Sequence, residues 1–114
     1  MKKEKQRLNQ IEIRIKEIKN QLFKLGSMRP GSLTKQYRLP KELRGAYYQL
    51  SYTHEMKSRT DYIRPEFIEN IRKEIDSYKI YRELTSEWTK LGIEHSKLRM
   101  KISIQTEKVT RERK

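Results

Sequence analysis

Tyrosines interleaved with arginine and lysine are the residues of this chain whose types and spacing point most directly to chemistry. Aromatic rings stack on nucleic-acid bases, and arginine forks contact phosphate or guanine. A competing interpretation is that the tyrosines pack strands against helices while the cations lie at the rim. We favour packing for tyrosines on an inner face, and for the arginines both interpretations stay open. The group comprises Tyr47, Tyr48, Tyr52 and Tyr62 beside Arg44, Lys57, Arg59 and Arg64.

A run of cations precedes these tyrosines. Residues 27–45 contain five basic side chains and one acid, Glu42. The whole chain has 28 lysines and arginines against 15 acidic residues, a net charge of +13, and such a field attracts polyanions. We therefore predict nucleic acid, either DNA or RNA, as a partner; the alternative is that the cations only keep the chain in solution. The predicted nucleic-acid-binding residues are Arg29, Lys35, Arg38, Lys41, Arg44, Tyr47, Lys57, Arg59 and Arg64.

The sequence contains few candidate catalytic or metal-ligating residues. Its carboxylates are interspersed with lysine and arginine at helical spacing, as on a solvated helix face. It has no glycine-rich phosphate loop, nucleophile elbow or paired-histidine motif. It has no cysteine, and its two histidines, His54 and His95, are far apart in the sequence. We predict no enzymatic activity, no catalytic residue, no metal site and no cofactor.

The first element that must position these side chains is an N-terminal helix in residues 1–26. Six apolar residues recur there at steps of 3, 4, 3, 4 and 3, which is an uninterrupted heptad seam. The pattern predicts a coiled-coil helix over about residues 3–25 and a homodimer formed through the seam. The predicted oligomerisation residues are Leu8, Ile11, Ile15, Ile18, Leu22 and Leu25.

A basic loop in residues 27–45 and a β-hairpin in residues 46–64 follow this helix. Glycines and prolines break up the loop, and a short helical turn is expected to begin at Ser32. Aromatic and β-branched residues then alternate on both sides of a short polar break, as in two paired strands. An even-numbered turn places Leu50 on the same face as Asp61, whereas a three-residue turn places it with Thr60. The buried face therefore stays open.

The last predicted elements are a long helix in residues 65–105 and a basic tail in residues 106–114. Pro65 suits the first turn of this helix, and Gly92 predicts a kink or break within it. About 40 residues give some 60 Å of helix, against about 35 Å for the first helix, so the unpaired end requires a partner such as a second copy. The predicted fold class is mainly α, with two long antiparallel, coiled-coil-like helices joined by a basic loop and a small β-hairpin.

Three segments of the sequence resemble an uncharacterised family of short bacterial and archaeal proteins. They are Pro30–Arg38, Gly45–Ser51 and Lys57–Ile63, and the similarity covers about residues 25–100. The resemblance implies a leading helix, a GSL…YR segment, a cysteine knuckle, a YYxLS…RTxYI hairpin and a trailing coiled coil. It also implies an association with mobile elements, but no particular activity.

The chain departs from this family at the knuckle. Where the family has cysteines, this sequence has Leu39–Arg44. The zinc site that a cysteine knuckle implies for the family is therefore not expected here. Leu39 and Leu43 are expected to close the same loop by packing.

These patterns favour a non-enzymatic nucleic-acid-binding accessory protein of a mobile element, phage or defence locus. The rival is a protein-interaction module: a coiled-coil adaptor, an inhibitor or an assembly factor of a nucleoprotein enzyme. A basic helix lying on a membrane is disfavoured by the heptad seam. The sequence shows neither an apolar signal core after Met1 nor a run of about 18 apolar residues. We therefore expect a cytoplasmic protein without a membrane partner.

Overall fold

The computed structural model describes residues 2–112 as two long helices and a three-stranded sheet. The elements, in chain order, are helix α1 (Lys2–Phe23), strand β1 (Ser32–Leu39), a 3₁₀ turn (Pro40–Glu42), strand β2 (Arg44–His54), strand β3 (Lys57–Ile63), a second 3₁₀ turn (Pro65–Phe67) and helix α2 (Ile68–Glu112). The predicted combination of two helices and a hairpin is present, and one more strand accompanies it.

The residues divide into two compact units. The sheet unit is Leu25–Tyr81, which contains all three strands and the beginning of α2. The helical unit is Met1–Lys24 with Arg82–Lys114, of which residues 2–24 and 82–112 are described. Helix α2 therefore contributes its first residues to one unit and the rest to the other.

The antiparallel sheet of the sheet unit has the strand order β1-β2-β3. Glu55 and Met56 form the turn between β2 and β3, and both have positive φ angles, 52° and 65°. Two such residues are typical of a type I′ hairpin turn. Leu50 pairs with Asp61 across the hairpin, so the even-numbered turn is the correct alternative.

Strand β1 corrects the prediction for residues 27–45. Ser32–Leu39 pairs antiparallel with β2, with Leu33 opposite Leu50, and no helical turn begins at Ser32. A 3₁₀ turn at Pro40–Glu42 then reverses the chain. Leu39 and Leu43 are 52% and 68% exposed. The loop is therefore closed by strand pairing, and the expected packing of the two leucines is wrong.

The core of the sheet unit lies on one face of this sheet. Alternate residues of a strand point to opposite faces, and we call the face that carries Leu50 the inner face and the other the outer face. Leu50 is fully buried against Ile71 and Ile75 of α2. A β-carbon at Gly31 would lie 2.7 Å from the Leu50 side chain, so only glycine lets the chain pass there. The partly buried side chains around this cluster are Leu33, Tyr52 and Ile63.

The helical unit joins α1 to the later part of α2 by paired charges. Arg14 donates two hydrogen bonds to the Glu87 carboxylate, at 2.6 and 2.9 Å. Arg7 does the same to Glu94, at 2.7 and 2.9 Å. From the first pair to the second, the residue number falls by seven on α1 and rises by seven on α2. The two helices therefore run antiparallel within this unit.

Helix α2 is longer than the sequence predicted. It begins at Ile68 after the 3₁₀ turn, continues through Gly92 without a break, and extends to Glu112. The predicted end near residue 105 is therefore wrong. Residues 113–114 of the predicted basic tail lie outside the described residues, as does residue 1 of the predicted first helix. Within residues 2–112, neither helix has an apolar stretch of the length that a bilayer crossing requires.

Candidate nucleic-acid interface

The outer face of the sheet carries polar, aromatic and basic side chains. The strand register assigns to it alternate residues of each strand. Arg64 follows β3 in extended backbone, so the alternation places it on this face too. None of the outer-face residues between 32 and 64 is an aspartate or a glutamate. They are Ser32, Thr34, Gln36, Arg38, Gly45, Tyr47, Gln49, Ser51, Thr53, Ser58, Thr60, Tyr62 and Arg64.

Two tyrosines lie together on the outer face. Tyr62 of β3 is paired with Gln49, so Tyr47, two residues earlier in β2, is its diagonal neighbour. The ring centroids are 5.9 Å apart and the ring planes are inclined by 54°. Tyr62 is 75% exposed, and Tyr47 is half-buried. The pair therefore presents aromatic surface to solvent that the sheet unit itself does not cover.

Arg38 flanks this pair from strand β1. Its position is directly opposite Gly45, between the pairs Tyr37–Ala46 and Leu39–Arg44. A β-carbon at Gly45 would lie 3.0 Å from Cβ of Arg38 and 3.4 Å from its Cγ, so the arginine stem passes close over the glycine. A cavity of about 330 Å³ is lined by Arg38, Tyr47 and Tyr62, together with Tyr48 and Ile63. One cation and three tyrosines thus line the same depression.

Four of the predicted binding cations lie on the inner face instead. Lys35 is paired with Tyr48, and its Nζ lies 5.5 Å from the centre of the Tyr37 ring. Arg44, Lys57 and Arg59 are exposed. The register places them on that face opposite Leu39, His54 and Tyr52, respectively. The nine predicted residues therefore do not form one surface. These inner-face cations are Lys35, Arg44, Lys57 and Arg59.

Arg29, Lys41 and Arg64 have different surroundings again. Arg29 makes an ion pair with Asp61, so its charge is already paired inside the sheet unit. Lys41 is exposed in the 3₁₀ turn between β1 and β2. Arg64 Nη1 lies 3.7 Å from a carboxylate oxygen of Glu66, and both side chains are largely exposed. Such exposed pairs exchange readily for other anions.

Five of the six predicted oligomerisation residues belong to the helical unit, and the sixth, Leu25, is the first residue of the sheet unit. Ile11 and Ile18 are 1% and 0% exposed within a single chain. The sequence therefore identified the buried side of α1, and the chain itself covers part of it. The half-buried members are Leu8, Ile15, Leu22 and Leu25.

Sequence reasoning missed two features of these units. The first is the exposed position of Tyr62 beside Tyr47 on the outer face, because its face depended on a turn length that the sequence left open. The second is the repeated pairing of arginine with glutamate at Arg7 and Arg14. Both arginines immediately precede a seam residue, and this spacing could have indicated cross-helix ion pairs.

Groupings that hold metal ions are not found in the described part of the chain, where no three histidine, aspartate or glutamate side chains come together. His95 Nε2 lies 3.0 Å from Oε1 of Glu12, across the two helices of the helical unit. His54 Nε2 lies 3.6 Å from Oε1 of its neighbour Glu55 at the exposed hairpin turn. Each histidine therefore lies beside a different carboxylate.

No family model matches this chain, and no match was found among curated proteins or solved structures. The resemblance to the short bacterial and archaeal family stays a prediction.

Proposed function

We propose that this chain is a non-enzymatic nucleic-acid-binding accessory protein that grips the phosphate backbone with its sheet unit. The observation that supports the proposal most is the charge of the outer face. Arg38 and Arg64 lie there, and no carboxylate does among its residues between 32 and 64. Strand residues that carry cations and no acids attract a polyanion, which releases its counterions on binding, and the exposed Glu66 beside Arg64 can be exchanged for a phosphate.

The positions of the cations reduce the set that is proposed to contact phosphate. Arg38, Arg64 and exposed Lys41 are assigned the main phosphate contacts. Arg29 is assigned a structural role, because its charge is paired with Asp61. The inner-face cations add to the overall positive field without sharing the outer face. The mobile-element, phage or defence context is proposed from the family resemblance only.

Self-association belongs to this proposal as well. The helical unit is proposed to pack as a short antiparallel coiled coil, and a homodimer would set the spacing of two sheet units on nucleic acid. Ile11 and Ile18 are covered within one chain, which leaves the half-buried seam residues for a second copy. Sedimentation at micromolar concentration decides this part, and a monomer would refute it.

A titration of fluorescently labelled oligonucleotides, followed by anisotropy, tests nucleic-acid binding itself. We expect dissociation constants below tens of micromolar at about 50 mM salt, since non-specific binding falls at roughly 10⁻⁴ to 10⁻⁶ M even at physiological salt. The variant Arg38→Ala with Arg64→Ala should bind more weakly. The matched control, Lys57→Ala with Arg59→Ala, removes the same charge from the inner face and should bind nearly as the wild type does. Failure of RNA and DNA alike to bind would refute the proposal.

A protein-interaction module is the second candidate, and one observation favours it. Ile93, Met100 and Ile104 on α2 are spaced by seven and four residues, which is one helix face, and each is more than half exposed. Such a face suits a helix of another protein. A pull-down with and without nuclease separates the candidates, because a partner held through nucleic acid is lost on digestion.

A further inference from the structure

We infer that the outer face binds single-stranded nucleic acid, with unpaired bases stacked on Tyr62 and Tyr47. This inference rests on the proposed function and names the substrate class. It is carried by the Tyr47–Tyr62 pair, since charge alone does not distinguish a single strand from a duplex.

The rest of the chain leaves most of the Tyr62 ring uncovered. Tyr62 is 75% exposed and lies on the face of the sheet opposite the core. Its ring is tilted by 54° against Tyr47, so each ring leaves part of its π-face uncovered. Base stacking on such faces is tolerant of sequence, because every base has a π-face.

The geometry favours unpaired bases over paired ones. In a duplex, neighbouring base pairs already cover each base's faces, and a side chain reaches them only by unstacking a step at a cost of a few kcal/mol. Stacked bases rise by about 3.4 Å along one strand. The ring centroids are 5.9 Å apart, so two bases can occupy both rings only when they are separated from each other. An extended single strand meets that condition without this cost.

The surroundings of the rings fit a phosphodiester chain. Arg38 on β1 and Arg64 at the end of β3 lie on either side of Tyr47 on the central strand β2. Neutral side chains, including Gln36 and Gln49, occupy the rest of the face and can hydrogen-bond to base edges. A proline-rich peptide would also use tyrosine rings, but it would offer no anion to Arg38, nor one to replace Glu66 beside Arg64. The charge therefore favours a nucleic acid.

The test compares a single-stranded oligonucleotide of about 16 nucleotides, long enough for one binding site, with the blunt duplex of the same sequence. Wild-type protein should bind the single strand more tightly. Tyr62→Leu should weaken single-strand binding about tenfold, within the range of one lost stacking contact, and should leave duplex binding unchanged. Tyr62→Phe keeps the ring and should bind as the wild type does.

Tyr81→Leu is the matched control, because it makes the same substitution at an exposed tyrosine of α2 that lies outside the sheet. It should leave both affinities unchanged. Circular dichroism of each variant establishes that the sheet unit is folded, and Tyr47→Leu provides an independent removal of the other ring. Equal affinity for the two oligonucleotides, or an equal loss of both in Tyr62→Leu, would overturn the single-strand inference while nucleic-acid binding stands. Absence of binding to either oligonucleotide would overturn the proposed function with it.

Discussion

Arg29 donates a hydrogen bond to the carboxylate of Asp61, which joins the segment before β1 to strand β3. The Arg29 guanidinium also lies over the Tyr52 ring, 5.0 Å from its centre. The backbone N–H of Arg29 donates to the carbonyl of Glu74 on α2 at 3.0 Å. Arg29 thus links the segment before β1 to the edge strand β3, to Tyr52 on the inner face and to helix α2. The charge that the sequence predicted to contact phosphate is therefore paired within the sheet unit.

Replacing Arg29 with alanine should therefore affect folding more than binding. The cation–π contact contributes about 0.5–1 kcal/mol and the partly exposed ion pair up to about 1 kcal/mol, so Arg29→Ala should lower the free energy of unfolding by about 0.5–2 kcal/mol. Urea denaturation measures this loss. Arg59→Ala on the same face is the control, with an expected change within about 0.5 kcal/mol. Unchanged stability of Arg29→Ala with strongly reduced nucleic-acid affinity would instead make Arg29 a binding residue.

The hairpin turn offers a stabilising substitution. Met56 has a φ of 65° and is 98% exposed, so it carries the strain of a left-handed backbone without any packing in return. Glycine adopts this conformation freely and is favoured at this position of a type I′ turn. We expect Met56→Gly to raise the free energy of unfolding by up to about 1 kcal/mol. Met56→Ala retains the strain and should show no gain, and a destabilised Met56→Gly would contradict the turn assignment.

The hairpin was predictable because its signal is local. Alternating aromatic and β-branched residues lie on both sides of a short polar break, and both strands formed. Strand β1 was missed because Pro40 and the glycines around it were interpreted as loop signals. Its alternating apolar residues, Leu33, Tyr37 and Leu39, are separated by polar ones, and only the pairing with β2 makes the segment a strand.

The candidate site was predictable in composition but not in arrangement. The sequence identified the tyrosines and the cations, yet the face of each depends on the register, and the register depends on a two-residue turn. Arg38 and Arg44, which were predicted to act together, lie on opposite faces because their separation along the chain passes through the turn between β1 and β2. The faces of residues on two different strands depend on how the strands pair, and the pattern within one strand does not predict that pairing.

Substitution of Ile18 measures how much the heptad seam contributes to the stability of a single chain. It is fully buried in the helical unit, so Ile18→Ala should cost about 2–5 kcal/mol through lost burial and the resulting cavity. Because that burial arises within one chain, the loss should be the same at all protein concentrations. Thermal melts over a hundredfold range of concentration check this, since dimerisation makes Tm depend on concentration. A loss confined to high concentration would place Ile18 in a dimer interface.

The Arg14–Glu87 pair predicts how the helical unit responds to acid. Hydrogen bonding from Arg14 holds the pKa of the Glu87 carboxyl below its ordinary value. A carboxylate with a lowered pKa in the folded state contributes stability above its unfolded-state pKa of about 4.3, and that contribution is lost as pH falls through the folded-state value. Glu87→Gln should therefore be less stable than the wild type at pH 7, and the difference should be smaller at a pH below the ordinary glutamate pKa of about 4.3.

Urea midpoints at both pH values measure this effect. Glu83→Gln, at an exposed glutamate of the same helix, controls for the general change in charge. High salt should reduce the difference at pH 7, because both side chains of the pair are partly exposed. An equal difference at both pH values would show that the pair does not set the acid response.

The dependence of binding on salt distinguishes phosphate contacts on the outer face from a general attraction to the charged chain. Each phosphate contact steepens the slope of log K against log salt by about 0.7 for a single strand and about 0.9 for duplex DNA. Arg38→Ala with Arg64→Ala should therefore flatten the slope by about 1.4 on a single strand and should weaken all sequences alike. The control is Lys57→Ala with Arg59→Ala, which removes two charges from the inner face and should change the slope by much less. Equal flattening by the two double variants would mean that the net charge of +13 acts as a whole, and that the outer face has no particular part in binding.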